Sequence, residues 1–400
     1  MGDLARELRA RGHAVTVVTT VPHYNRDLDA ERRQPMRPVW GPLLKRSDYD
    51  GVPVFHTAMP AKTPSALRRI AAWIGFHAIS TIAALVLVER PDVILTPSPP
   101  LSIGVSAWIV ARLRGARYVY NVQEIYPDIA INLGAVKNRR IIAALYALER
   151  FVYRGAAAVT VIAARMRARL VAKGVPPERV HVIPNFVDLD RLAPAPRHNA
   201  FSAQHGLDEG LVVTYAGNMG PAQGLDTVIE AAHLVDADPG RPPIRFVLIG
   251  EGGMRARLTE RAASLPPGRV TVLPYQPNSL MPQIYGASDV SLVPQAAATG
   301  SDAIPSKVYR IMASGRPLIA VTELDSDLAA LVREAGCGRV VPPADPRALA
   351  AAVTDAAAHP GEWRAMGERG RAHVVAHYTR AVVSAQYDAL IRRVHEDGAA

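Results

Sequence analysis

Three glycine-bearing turns are the places where this chain could hold phosphate. Ile249-Gly250-Glu251-Gly252-Gly253 closes an apolar, β-branched run and opens a helical one. Glycines there allow close backbone approach, and the start of the helix offers unpaired N–H groups to an anion. Tyr215-Ala216-Gly217-Asn218-Met219-Gly220-Pro221-Ala222-Gln223-Gly224 is a second such turn. The third is Thr299-Gly300-Ser301-Asp302-Ala303-Ile304-Pro305-Ser306-Lys307, where Pro305 suits the first turn of the helix that follows. Glycine-rich strand-to-helix turns also occur for backbone reasons alone. What distinguishes these is that three of them, each at a strand's carboxyl end, should converge on one crevice.

Rival chemistries fit less well. A dinucleotide site needs G-x-G-x-x-G near the start of its domain and an acidic residue about twenty residues on. Gly250-Glu251-Gly252-Gly253 lacks the third glycine of that spacing, and no Walker motif occurs. Asp-x-Asp triplets begin at Asp48, Asp188, Asp236 and Asp325, but they read as solvated loop acids, so no metal site is expected. The single cysteine, Cys337, excludes a disulfide framework and suits a cytoplasmic setting. Lys and Arg number 46 against 36 Asp and Glu, a net charge of +10. That excess favours anionic partners: phosphorylated ligands, an acidic membrane surface or nucleic acid. Aromatic residues make up only 6% of the chain, too few for a stacking platform, so nucleic acid is not expected.

Two α/β domains are needed to position those turns. The 400 residues exceed one usual domain, and 49% hydrophobic residues exclude disorder. β-Branched runs alternate with helical patterns throughout, the signature of parallel sheets covered on both faces. The first series spans 1–190, beginning with a helix at 2–11 and a strand ending at Thr19, followed by a long Pro- and Arg-rich loop to about 52. The second spans 200–375, after a Pro/Ala/Arg-rich linker, and residues 376–400 return toward the first domain as the end of a helix over 361–396. The expected fold is therefore two doubly wound, Rossmann-like domains facing across a cleft. Met1–Leu8 reads as a charged amphipathic helix, not a secretory leader. Ile70–Val88 carries no formal charge and approaches the length of a membrane span. Because His77, Ser80 and Thr81 interrupt it and a strand follows at once, a helix packed on the sheet or touching a membrane fits better.

Across nearly its whole length the chain resembles the family 4 retaining glycosyltransferases of the GT-B fold. The resemblance rests on Arg11-Gly12-His13-Ala14-Val15-Thr16-Val17-Val18-Thr19, Pro91-Asp92-Val93-Ile94 and Ile183-Pro184-Asn185-Phe186-Val187-Asp188. Tyr215-Ala216-Gly217-Asn218, Leu248-Ile249-Gly250-Glu251-Gly252 and Met312-Ala313-Ser314-Gly315-Arg316-Pro317 extend it into the second half. A narrower likeness, to the N-acetylfucosaminyl transferase-like branch of O-antigen and capsule assembly, is carried by three stretches. These are Pro97-Ser98-Pro99-Pro100-Leu101, Val122-Gln123-Glu124-Ile125-Tyr126-Pro127-Asp128 and Gly217 to Leu225.

The resemblance implies transfer of a sugar, with retained configuration, from a nucleotide-diphosphate donor such as a UDP-sugar, without cofactor or metal. The family's usual cations in the first C-domain turn are replaced here by Asn218 and Gln223. Lys307 then becomes the leading cation for the departing diphosphate, with Ser306 and backbone N–H groups beside it. The family's paired glutamates fall on Asp302, still able to accept from sugar hydroxyls, and on Arg310, which cannot accept a ribose bond. Gly217, Gly250, Gly252 and Gly300 would shape the donor site, and Tyr275 could flank the base. Glu124 and Asp128 are the candidates to orient or deprotonate the acceptor hydroxyl, although Asp128 after Pro127 could instead cap a turn or helix. The acceptor implied is a polyprenyl-diphosphate-linked sugar or a saccharide at the inner membrane face. Arg32, Arg33, Arg37, Lys45, Arg46, Lys62, Arg68 and Arg69, with the 70–88 helix, could contact that surface. Two other readings stay open: an interaction protein on a degenerate scaffold, and a GT-B epimerase or phosphorylase. Finally, the family's first domain begins with a central strand and a glycine-rich loop, whereas this sequence opens inside the following helix. The expectation is a gap at that sheet position or a start placed too late.

Overall fold

The β-branched runs and the helical runs sort into two sheet systems in this computed structural model, which describes residues 1–21, 32, 34–59, 66–132, 134–235, 243–297 and 304–399. The first half holds strands β1 (Val17–Thr20), β2 (Arg37–Pro38), β3 (Leu44–Tyr49) and β4 (Val52–Thr57) in the order β1-β4-β3-β2. Strands β5 (Val93–Ser98), β6 (Arg117–Val122), β7 (Ala158–Val161) and β8 (Val180–Val182) form a separate parallel sheet in sequence order. Among the described residues, no strand joins β1 to β5. β1 and β5 thus lie in separate sheets among the described residues.

The long loop expected up to residue 52 is corrected by β2, β3 and β4. β3 pairs antiparallel with β4, from Leu44 opposite Thr57 to Tyr49 opposite Val52. Its sequence, Leu-Lys-Arg-Ser-Asp-Tyr, hides the strand because pairing, not an apolar face, holds it. One signal was available: Asp50-Gly51, with φ of 51° and 81°, is the dipeptide that a tight hairpin turn demands.

The second half is one parallel sheet of β9 (Leu211–Ala216), β10 (Ile244–Ile249), β11 (Val270–Leu273), β12 (Val290–Pro294), β13 (Leu318–Val321) and β14 (Gly338–Val341). The order β11-β10-β9-β12-β13-β14 reverses direction between β9 and β12, which makes that the topological switch point. Near-continuous burial of β9, β10, β12 and β13 fits a sheet covered on both faces. An apolar cluster continues from Tyr120 and Val161 of the first domain, through Val187 and Leu192, to Met281 and Val308 of the second, so the two domains share buried contact.

The single helix expected over 361–396 is two, Pro360–His377 and Arg380–Ala399. The break lies where Tyr378 accepts from the Val187 N–H and Thr379 bridges to Val187. Val383, Tyr387, Leu390 and Val394 of the last helix then pack with Leu4 and Leu8 over the first domain's parallel sheet. Arg380 fastens the crossing by pairing with Glu7 at 2.8 Å and Asp188 at 3.1 Å.

Candidate functional site: a cleft at the switch point

Two of the three glycine turns meet, and their glycines are required by that meeting. After β9, the Gly217 N–H donates to the Ile249 carbonyl at 2.9 Å, and the Met219 N–H donates to the Glu251 carbonyl at 2.8 Å. A Cβ on Gly250 would sit 1.8 Å from the Gly217 carbonyl oxygen, and one on Gly252 would sit 2.3 Å from that of Met219. No side chain fits either place. The third turn arrives from β12 through Lys307, whose Nζ would lie 2.5 Å from a Cβ on Gly217. The first two turns and the Lys307 end of the third therefore meet around the strand ends at the switch point, where ligands of open α/β sheets bind. Gly300 and Asp302 lie outside the described residues.

Lys307 is the electrostatic centre of this junction. Its ammonium sits 3.8 Å above the centre of the Tyr215 ring, a cation–π contact. The Tyr215 hydroxyl in turn donates to the Asn218 carbonyl at 2.5 Å. Among the described residues no carboxylate pairs with Lys307. Burial alone lowers its pKa, to about 7, although part of the residue's surface stays accessible. A lysine poised near neutrality, with no acidic partner among the described residues, gains most from an arriving anion. Asn218 and Gln223, which stand where cations were expected, serve the turn: the Gln223 side-chain oxygen accepts from the Gly220 N–H at 2.9 Å and lies 3.5 Å from the Asn218 amide.

A cleft of about 480 Å³ opens between the domains next to this junction. Ser306 and Arg310 line it from the second domain, with Asn278 and Met281; Arg310 approaches the Asn278 side-chain oxygen at 3.5 Å. Asp3, Gln123, Asn185, Asp188 and Arg191 line it from the first, and Tyr387 from the last helix. Tyr275 follows β11 and is half exposed, outside the cleft lining. Glu124 is partly buried next to Gln123, and its charge raises the Tyr126 hydroxyl pKa after the larger effect of burial. Among the described residues, no three His, Cys, Asp or Glu side chains gather as a metal would require.

Asp128 is not a free base. It is buried and ion-paired twice, accepting from Arg169 at 2.8 Å and from Lys173 at 2.7 Å. Lys173 also binds Glu149 at 2.8 Å, whose pKa burial nonetheless raises. Two tight cation contacts hold the carboxylate as a structural tie between helices Asp128–Asn132 and Ala164–Ala172. Its partners follow it by 41 and 45 residues, a pairing that no local spacing announces. Asn278, Arg191 and Tyr387 were missed for the same reason. Asn185 stands inside a noted motif with no role assigned to it, and Asp188, read from sequence as a solvated loop acid, is instead largely buried and ion-paired with Arg380 and Arg191. Of the basic residues expected at a membrane, Arg33 and Lys62 and the side chains of Arg68 and Arg69 lie outside the described residues. No helix among the described residues is long and apolar enough to cross a membrane.

Comparison with known proteins agrees with this architecture. Residues 1–185 match the glycosyl transferase 4-like domain, and residues 210–359 match glycosyl transferases group 1. The chain is 28% identical over 364 residues to WcaI of Escherichia coli, assigned as a colanic acid biosynthesis glycosyl transferase, covering 89% of this chain and 87% of that protein. It superposes on sucrose-phosphate synthase from Thermosynechococcus elongatus with a TM-score of 0.74 and 20% identity, over 98% of this chain and 92% of that one. Against Anabaena HepE, solved in complex with UDP-glucose, the TM-score is 0.71 at 16% identity, over 98% and 94% of the two chains. With both domains matched in order and the crevice at their junction, the chain belongs to the GT-B glycosyltransferases, with a glycosyl transferase 4-like domain followed by a group 1 domain.

Proposed function

We propose that the cleft transfers a sugar from a nucleotide-diphosphate donor, a UDP-sugar first among candidates, to a lipid-linked or saccharide acceptor in cell-surface polysaccharide assembly. The observation that carries this reading is Lys307, an enclosed ammonium with no carboxylate partner among the described residues, where the first two glycine turns meet. As the bond between the sugar carbon and the diphosphate oxygen lengthens, negative charge grows on the diphosphate. Lys307, protonated by that charge, and the N–H groups of the turns are placed to stabilise it, so the reaction needs no metal. Front-face attack retains configuration: the acceptor oxygen bonds to the sugar carbon and its proton passes to an oxygen of the departing diphosphate. Glu124 orients the acceptor hydroxyl, Ser306 and Arg310 reach the donor from the second domain, and Tyr275 serves the base. HepE, which shares the fold, was solved with UDP-glucose, and that supports the donor class. WcaI's assignment to colanic acid biosynthesis supports the polysaccharide context. Our reading also includes the N-acetylfucosaminyl-like branch and a peripheral position at the inner membrane face, on the cytoplasmic side.

The test is a donor panel of UDP-, GDP- and dTDP-sugars, followed by binding, hydrolysis and transfer, with the product anomer read by NMR. Transfer from one donor with retained configuration is the expected result. Binding without turnover would favour a degenerate scaffold, epimerised donor would favour an epimerase, and no binding of any donor would refute the reading.

A further inference from the structure

At the opposite end of the first domain's parallel sheet lies a second opening, of about 830 Å³, larger than the cleft. Arg117 at the start of β6, Ala158 at the start of β7 and Arg179 just before β8 line it. The cleft sits past the other ends of these strands, beyond Gln123 and Asn185. The two are separated by the length of a six-residue strand, about 20 Å. Five guanidinium groups border the opening: Arg112, Arg117, Arg154, Arg179 and Arg393. Among the described residues, Arg112, Arg154 and Arg179 hold no ion pair. Arg117 donates to the Asp397 carbonyl at 2.5 Å, and Arg393 to the His181 ring at 3.0 Å.

Charge arithmetic separates a ligand site from an ordinary basic surface. The lining holds two carboxylates, Glu178 and Asp397, which leaves three positive charges in excess. Helices Ile103–Arg114, Arg139–Gly155 and Arg380–Ala399 all end here, and three helix C-termini contribute about half a negative charge each. About one and a half positive charges remain unanswered. The His181 imidazole adds none, because burial, then Arg393 and Arg167, lower its pKa and leave it neutral at pH 7. A phosphate monoester carries about −1.5 to −2 at that pH. Trp108, half exposed, and Ala111 and Val394 give the lining an apolar side beside the arginines, so a ligand's body can lie there while its phosphate faces the guanidiniums.

We propose that this pocket is a second, non-catalytic binding site for a phosphate monoester group, carried either by a soluble metabolite or by a lipid headgroup. The proposal does not depend on the donor reading, because none of its residues lines the cleft. Inorganic phosphate is the probe, titrated by calorimetry into the wild-type chain, R154A/R179A and K307A. Wild type and K307A should both show the site, and R154A/R179A should bind at least tenfold more weakly. A melting curve like wild type is expected for the double variant, since neither arginine holds an ion pair among the described residues; Arg154→Gln alone is the fallback if it melts early. Absence of a saturable site in wild type, or equal affinity in the arginine variants, overturns the proposal. Loss confined to K307A overturns it as well, by placing all phosphate binding in the cleft. Co-sedimentation with vesicles containing phosphatidic acid, whose headgroup is a phosphate monoester, against phosphatidylcholine vesicles then sorts the source. Sedimentation lost in R154A/R179A assigns the site to lipid headgroups, and sedimentation kept there assigns it to soluble phosphate esters.

Discussion

Lys307 makes donor binding a proton-uptake reaction. Its pKa is lowered by burial to about 7 in the free protein. At pH 8 it therefore carries a proton in only about one molecule in ten, and at pH 6 in about nine of ten. A diphosphate bound against it favours the charged form and pulls the pKa back up. Binding UDP at pH 8, where its terminal phosphate is already ionised, should then take up about 0.9 proton per site. Calorimetry in buffers of different ionisation enthalpy reads this number directly, as the slope of apparent heat against buffer enthalpy. In Lys307→Met the uptake at pH 8 should vanish. The same substitution should lower turnover by about 100-fold or more, as for loss of one preorganised charge-stabilising group. Stability should move in a matching sense. Because the folded pKa lies below the unfolded one, the unfolded chain holds the extra proton between about pH 7 and 10.5, and stability rises with pH across that window. The methionine variant should lack the rise. A slope of zero at pH 8 in the wild type, or uptake unchanged in the variant, would refute the reasoning.

Three further outcomes follow from the geometry. Asp128→Asn should destabilise by about 3 kcal/mol, because it strands Arg169 and Lys173 beside a neutral amide, while the folded fraction keeps its kcat; an unchanged melting temperature with kcat lost would instead make Asp128 the base. Gly250→Ala should cost about 2–4 kcal/mol and abolish donor binding, since its Cβ would meet the Gly217 carbonyl, whereas Gly253→Ala, with nothing within 4 Å of the added atom, should be nearly neutral in a thermal melt. The protein should pellet with anionic vesicles at low salt and come off as ionic strength rises, because exposed basic contacts are screened; binding indifferent to salt would point to the apolar helix Ala66–Val86 entering the bilayer.

The alternation of β-branched and helical runs was enough to establish two α/β domains, and the glycines were enough to mark the strand-end turns. Both are local properties: side-chain period follows secondary structure, and only glycine fits where Gly250 meets Gly217. Lys307 could be named from sequence as a cation near those turns. Its working state could not, because Tyr215 and Gly217, which enclose it, come from another strand of the sheet. Asp128 shows the converse, a carboxylate placed suitably in sequence but neutralised by cations that only folding brings near. The cleft wall is a tertiary product too, since Tyr387 reaches it only after the last helix breaks at Tyr378 and crosses to the first domain. Sequence spacing determines which residues share a face of one element. Which charges meet across elements, and how far water is excluded from them, is decided by packing, and that sets whether a lysine or a carboxylate is free to act.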